Sequence, residues 1–440
     1  MTNRPSTTIE MTLKYGGYFF FLIFALSVCI SKAAVNVSGG FILLISVVYI
    51  IFYYDRIDFT YKKKYILIAL SPFFVGFIAS FFSLSGVSGS LAFLERFRFF
   101  LLFLSFALFI NSEKKINTLF VMLNISSLTG ILYGISVLDS WEFWGRTIGL
   151  HTLGRSSDLM VSISLMNIAG FFIYRSKDKT RNIIFKTAIF LNTLLMVAGI
   201  SIMGRRGSII GLIVGVVVLM IVFRRFFILA LIMIVALCSL YFSDNWLAQR
   251  VKSIRDLDKN ESNIIRLQLL RTGVDYIVDK RLFFKGTGAK KAEIFFGDYF
   301  NSKPETYKVK YDRVSLYFGN FHNSFLQMAI EAGVIFTMLF LASIFYMMVF
   351  LQKKLGNLEG NRRFYPAAAL AVTMGCFASQ FFHGDLYMYG GIPFILILSG
   401  GCGVCMIENE ENNNIPEEDF TLHCPVLFGP DGPVLQKSDL

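Results

Sequence analysis

The sequence predicts an all-α, polytopic membrane protein of about twelve transmembrane helices, with a large, partly helical loop between the ninth and tenth spans. Three observations predict it. Hydrophobic residues fill 55% of the 440 positions, 48 of them Phe, and the mean hydropathy is +0.59, a balance foreign to water-soluble chains. Apolar stretches of about 17–25 residues, enough to cross roughly 30 Å of hydrocarbon as a helix, recur along the chain. Their short connections alternate between strongly basic and nearly neutral. Barrel strands would run about 10 residues and alternate polar with apolar, which these stretches do not.

Spans are expected near 15–34, 38–54, 65–83, 90–110, 117–138, 157–174, 186–204, 207–223, 226–243, 323–352, 364–383 and 389–406. The basic connections are "RIDFTYKKK", "NSEKKIN", "RSKDKTRNIIFK", "FRRF" and "QKKLGNLEGNRRF", and the positive-inside rule puts them and both termini in the cytoplasm. No small-residue cleavage pattern follows "MTNRPSTTIEMTLKYGG", so the first span is read as retained. The net charge of +12 falls mostly in these connections and reads as topology, with no nucleic acid implied. The six cysteines imply no disulfide framework; Cys402 and Cys405 form a C-x-x-C without a second pair and read as packing residues.

The chain thus divides into spans 1–9 over 1–243, a loop over 244–321, spans 10–12 over 322–407, and an acidic, Asn-rich, disordered cytoplasmic tail over 408–440. Within the loop, "NIIRLQLLRTGVDYIVDKRLFFKGTG" sets Ile264, Leu267, Leu270, Val274, Ile277 and Val278 at helical spacing, with Gly286 and Gly288 ending the run. An amphipathic helix lying over the mouth of the bundle is expected.

Two stretches carry chemistry. In "GNFHNSFLQMAIEAGVIF", His322 and Asn323 head the tenth span, and Ser324, Gln327 and Glu331 follow on one helical face. Polar groups within a span face a cavity or another helix rather than lipid. Two readings of His322 stand: an interfacial residue among helix-packing polar groups, or a general base, which its near-neutral titration suits. In "IMGRRGSIIG", Arg205 and Arg206 occupy a tight outer-side turn between the seventh and eighth spans. They contact lipid headgroups, or they clamp a phosphate through bidentate bonds, with Arg266 and Arg271 of the loop helix completing the clamp.

Weaker candidates surround these. Arg146, His151 and Trp144 lie in the outer connection "DSWEFWGRTIGLHTLGR", where sugar stacking and headgroup anchoring are both open readings. Asp385 in "HGDLYMYG" either orients a base or caps a helix, and Glu95, Arg96 and Arg98 of the fourth span pair internally, snorkel or line a lipid path. "GTGAKK" lacks the spacing and preceding strand of a phosphate loop. No Asp-x-Asp pattern lies on the outer side, so neither a metal nor another cofactor is expected.

A dozen spans, the Arg-Gly turn, the basic outer loop with its Arg-bearing helix and the His-Asn leading into the next span together resemble the O-antigen ligase and polymerase superfamily, from Tyr15 to Met406. The sharpest part is the ligase pattern of His-Asn, nine residues, Gly, two residues, then Gly, Thr or Tyr. His322, Asn323 and Gly333 fit it, and Phe336 departs at the last position. The resemblance implies essential roles for His322, Arg206 and Arg266 and matches Asp385 to a family acidic residue. Arg205, Arg271, Asn323 and Arg146 complete the candidates for substrate contact.

In this family the ligases join undecaprenyl-diphosphate-linked O-antigen to the lipid A core at the periplasmic face of the bacterial inner membrane, and the polymerases transfer it to another lipid-linked repeat unit. The partners implied are that donor, that acceptor and membrane lipids. Arginines on the diphosphate would stabilise the leaving charge, while neutral His322 takes the proton of the attacking hydroxyl from the opposite face, giving inversion. A lipid-oligosaccharide flippase of similar span count is a different class. It calls for midplane polar sites and repeated halves, which the sequence does not display. A non-enzymatic scaffold leaves the His-Asn and Arg pairs without a role.

Overall fold

The computed structural model describes residues 7–54, 63–136, 147–148, 151–203, 205–224, 261–316, 318–382 and 391–411. It is helical apart from a two-residue antiparallel ladder of β1 (Thr147–Ile148) and β2 (His151–Thr152). The helices are α1 (Thr7–Ser27), α2 (Lys32–Tyr53), α3 (Lys63–Phe81), α4 (Val87–Phe97), α5 (Leu102–Phe109), α6 (Glu113–Ser136), α7 (Leu153–Ile173), α8 (Lys179–Met203) and α9 (Arg206–Val222). The loop contributes α10 (Glu261–Asp279), α11 (Ala292–Asn301) and α12 (Glu305–Lys310), and the chain continues with α13 (Ser324–Ala332), α14 (Val334–Leu355), α15 (Phe364–Gln380) and α16 (Ile392–Glu411).

Among the described residues, five segments, Thr8–Ser27, Lys32–Tyr53, Glu113–Tyr133, Lys179–Ser201 and Val334–Leu355, are long and apolar enough to cross a membrane. Ile66–Phe81, Ser157–Ile173, Arg206–Val222 and Ile392–Met406 are shorter apolar helices. Large apolar side chains such as Phe19, Ile51, Phe82 and Phe345 point outward from the bundle, as lipid-facing groups do. The span expected over 226–243 lies outside the described residues.

Two expected spans are broken. The fourth is α4, a 3-10 turn over Arg98–Leu101, then α5. The tenth, expected as one helix over 323–352, divides at Gly333, whose φ of +99° ends α13 before α14 begins. A left-handed φ at a residue without a Cβ is the ordinary way to end a helix. Helix α16 runs through Glu411, and the rest of the expected tail lies outside the described residues.

Helix α15 sits at the centre, packed on α7, α9, α14 and α16. Its run "PAAALAVTMGCFAS" keeps side chains small, and a Cβ at Gly375 would meet the Gly211 carbonyl oxygen of α9 at 2.6 Å. Bare backbone at that crossing lets the helices approach closely, the usual basis of tight helix pairs in lipid. Cys376, Cys402 and Cys405 are buried free thiols in α15 and α16, in keeping with packing roles.

The loop carries its own core. Ile265, Leu269 and Tyr276 of α10 bury against Phe296, Phe300, Val314 and Phe321, and the cluster extends to Leu326 and Ile330 of α13. This corrects the expected amphipathic face. Of the six residues expected to line it, Ile277 is buried, while Leu267, Leu270, Val274 and Val278 are exposed. The packing face is rotated by about one residue, because helical spacing marks an apolar stripe without saying which of two stripes meets protein.

Candidate active site

The His-Asn pair heads α13, a nine-residue buried helix, rather than a membrane-length one. Asn323 is its N-cap: the side-chain oxygen accepts from the backbone N–H of Phe325 and of Leu326, both at 3.0 Å. Such a cap contributes about 1 kcal/mol, and the oxygen is thereby committed to backbone. His322 stands just outside the helix with a φ of +51°, a left-handed conformation that costs a branched-Cα residue on the order of 1 kcal/mol. Its N–H donates to Asn320 Oδ1 at 2.9 Å. Asn320 thus holds the backbone of the strained histidine, and Asn323 after it caps the helix.

The other end of α13 is secured by the "GTG" stretch. The N–H groups of Thr287 and Gly288 donate to the carbonyls of Ile330 and Glu331 at 2.8 and 3.0 Å, supplying partners that a helix C-terminus leaves open. A Cβ on Gly286 would collide with the Glu331 carbonyl. These glycines therefore serve close backbone packing, in keeping with the dismissal of a phosphate loop.

The polar stripe of α13 is consumed in fastening helices. Glu331, 1% exposed, is ion-paired to Arg96 of α4, and Gln327 donates to Glu331 at 2.6 Å while accepting from the Phe321 N–H. The other fourth-span charges also pair: Lys290 with Glu95, and Arg98 with Asn36. Phe336, at the position where the ligase pattern departs, packs edge-on against Phe93 and Phe97 with centroids 5.5 and 5.4 Å away.

Three of the four arginines read as a clamp converge: Arg205, Arg206 and Arg266. Arg205 is the N-cap of α9 and Arg206 its first residue, an end where the helix dipole disfavours cations by about 0.3–1 kcal/mol. Arg206 donates to Asn263 Oδ1 at 3.1 Å, tying α9 to the first turn of α10. Arg266, one turn further along α10, lies 5.9 Å over the Phe382 ring at the end of α15. Burial, and after it the charges of Arg206 and Arg205, hold its guanidinium below the ordinary value. Arginine stays charged through the physiological range, so three like charges crowd this corner of the fold.

Arg271 is exposed and sits about 140° around α10 from Arg266 at 3.6 residues per turn. Arg146, Trp144 and Asp385 lie outside the described residues, and His151 is placed by its backbone alone, in β2.

Beneath this cluster runs a buried network that the sequence reading missed. Asp158 of α7 is 2% exposed. It accepts from Ser379 Oγ at 2.6 Å, Gln380 Nε2 at 2.8 Å and Ser208 Oγ at 3.1 Å. Ser324 then donates to Gln380 Oε1 at 2.6 Å. Four helices, α7, α9, α13 and α15, are pinned at one carboxylate, which lies two residues from Arg206 through Ser208 and two from His322 through Ser324. The available signal was a lone Asp opening an apolar run, since ionisable residues within spans are costly and serve a purpose.

Arg205, Arg206 and Arg266 lie close enough for their charges to oppose one another, and the network through Asp158 and Gln380 links the start of α9 to the head of α13, which His322 precedes. Residues 191–341 match the family model described as O-antigen ligase. They run from within α8 across Arg205 and Arg206, the loop and α13 into α14, so the resemblance carried by the His-Asn pattern holds where the candidate residues cluster. No curated protein matches the chain.

Proposed function

We propose that this chain, whose residues 191–341 match the family model described as O-antigen ligase, is an O-antigen ligase: an inverting, metal-independent glycosyltransferase. It moves O-antigen polysaccharide from undecaprenyl diphosphate to the lipid A core at the periplasmic face of the bacterial inner membrane. The observation that carries this reading is the setting of Arg266, whose charge is opposed by Arg206 and Arg205 at the mouth of the same network that seats α13.

A diphosphate leaving group answers that field. As the glycosidic C–O bond breaks, negative charge grows on the diphosphate oxygen, and preorganised guanidinium donors stabilise it more than they stabilise the ground state. Arg206 and Arg266 grip the diphosphate and Arg205 adds charge. His322, neutral, accepts the proton of the acceptor hydroxyl as that oxygen bonds to the anomeric carbon from the far side. The polyprenyl tail remains in lipid beside the bundle.

The test is transfer by purified protein between lipid-linked O-antigen and lipid A core, with chelator and no added metal. His322→Ala should retain donor binding and lose about 10²–10⁴-fold in rate, the usual contribution of a positioned base. Normal turnover in that variant returns His322 to an interfacial role, and loss of wild-type transfer with chelator refutes the metal-free mechanism. One observation favours the polymerase instead: Phe336 stands where the ligase pattern has Gly, Thr or Tyr. A deletion strain decides between them, because loss of all core-attached polymer means ligase and a core bearing one repeat means polymerase.

A further inference from the structure

We propose that the stretch from Leu267 to Lys285 is a membrane-interface anchor that seats the loop on a phospholipid surface carrying anionic headgroups, independently of the transfer chemistry. Helix α10 has two apolar stripes. One, through Ile265, Leu269 and Tyr276, is buried in the loop core. The other, Leu267, Leu270, Val274 and Val278, is 42–55% exposed. A helix between protein and water needs only the first, and a second contiguous apolar stripe marks a surface that meets something apolar.

Its position identifies that partner. The stripe continues into Phe283 and Phe284, the latter 77% exposed. The carbonyls of Leu282 and Phe283 accept the N–H groups of Val334 and Ile335 at 3.2 and 3.0 Å. Val334 opens α14, a membrane-length apolar helix, whose Met338 faces outward one turn further in. The two phenylalanines are therefore fixed at the level where α14 enters the bilayer, and the exposed stripe is continuous with a lipid-facing one.

Charge selects the headgroup. Arg271, Lys280, Arg281 and Lys285 are exposed along this stretch. The two acids of this stretch are each held by a partner: Asp275 accepts from Tyr307 Oη at 2.8 Å, and Asp279, itself 44% exposed, accepts from Tyr299 Oη at 2.7 Å and Lys303 at 2.6 Å. The outward fringe is cationic. Long basic side chains lay their stems along apolar surface and carry their charge to phosphate level, and an apolar stripe with such a border binds anionic bilayers more tightly than neutral ones.

Phe284→Trp, in full-length protein with Trp141, Trp144 and Trp246 changed to Phe, is read in nanodiscs containing lipids brominated high on the acyl chain. Quenching should equal that of a Met338→Trp control on α14 and exceed several-fold that of Val309→Trp, an exposed site on α12. Raising the share of phosphatidylglycerol should increase it, and Lys280→Gln with Arg281→Gln should remove that increase. Quenching no greater than at Val309, or a blue-shifted emission untouched by bromine because a second copy covers the stripe, overturns the anchor. Equal quenching in neutral and anionic bilayers overturns the headgroup preference. Val278→Trp, read the same way, decides the matter if Phe284→Trp does not fold.

Discussion

Replacing Asp158 by Ala should destabilise the protein by about 2–4 kcal/mol. The carboxylate satisfies three donors, and each buried donor stripped of its partner costs about 1–3 kcal/mol. Two have alternatives. Ser208 Oγ lies 2.7 Å from Ser157 Oγ, and Ser379 can turn its hydroxyl to the carbonyl one helical turn back. Gln380 Nε2 has none while its Oε1 is held by Ser324. One stranded donor, two weakened ones and a small cavity, less the relieved burial of a carboxylate, give the range. Asp158→Asn should cost about 1 kcal/mol, because Gln380 can flip its amide and Ser324 can accept in place of donating. Equilibrium unfolding in mixed micelles measures both. Asp158→Ala combined with Gln380→Leu should fall short of the summed single costs by roughly 1 kcal/mol or more, since the second change removes the stranded donor. Full stability of Asp158→Ala, or strict additivity of the pair, refutes the network. Transfer should slow as well, because this carboxylate sets the α13 end that bears His322 against the α9 end that bears Arg206.

Arg206→Lys should remain impaired in transfer, since an ammonium keeps the charge and loses the bidentate fork; full activity in Arg206→Ala would end the clamp. Gly286→Ala should destabilise by more than about 2 kcal/mol, because its Cβ would collide with backbone at Glu331. Gly356→Ala, whose Cβ meets its nearest neighbour at an ordinary 3.7 Å, should stay within about 0.5 kcal/mol, both read by the same unfolding measurement. Cysteine labelling from outside the cell should reach a probe at Ser302 and miss one at Asn357; labelling of both would overturn the sidedness read from the basic connections.

The site was legible where chemistry is written in residue type. His322 stood out because a titratable ring at a span's edge is costly, and Arg205 and Arg206 because two guanidiniums share a turn. Arg266 was marked by its place on the loop helix and by the family resemblance, and the charges of Arg206 and Arg205 oppose its own. Asn323 was read as a substrate contact, and its side-chain oxygen caps α13. Arg271, read with the clamp, is exposed on α10 about 140° around the helix from Arg266. Asn320 and Asp158 went unread, since neither shows its partner within a few residues.

What the sequence determined by itself was the helical, membrane-spanning character and the family pattern, because apolar run length and motif spacing are one-dimensional quantities. Tertiary structure decided which stripe of α10 meets protein, where the tenth span breaks, and which helices share Asp158. Gly286 and its neighbours pack onto the end of α13 just before Gly333, from 43 positions away, with Thr287 donating to Ile330 and Gly288 to Glu331. Hydrogen bonds between Asp158 and Gln380 span 222 positions. Such contacts depend on how helix axes cross, and helices cross where small residues such as Gly211 and Gly375 let backbones meet. A local pattern records that a helix has a polar or apolar face, and only the packing of the bundle selects what that face touches.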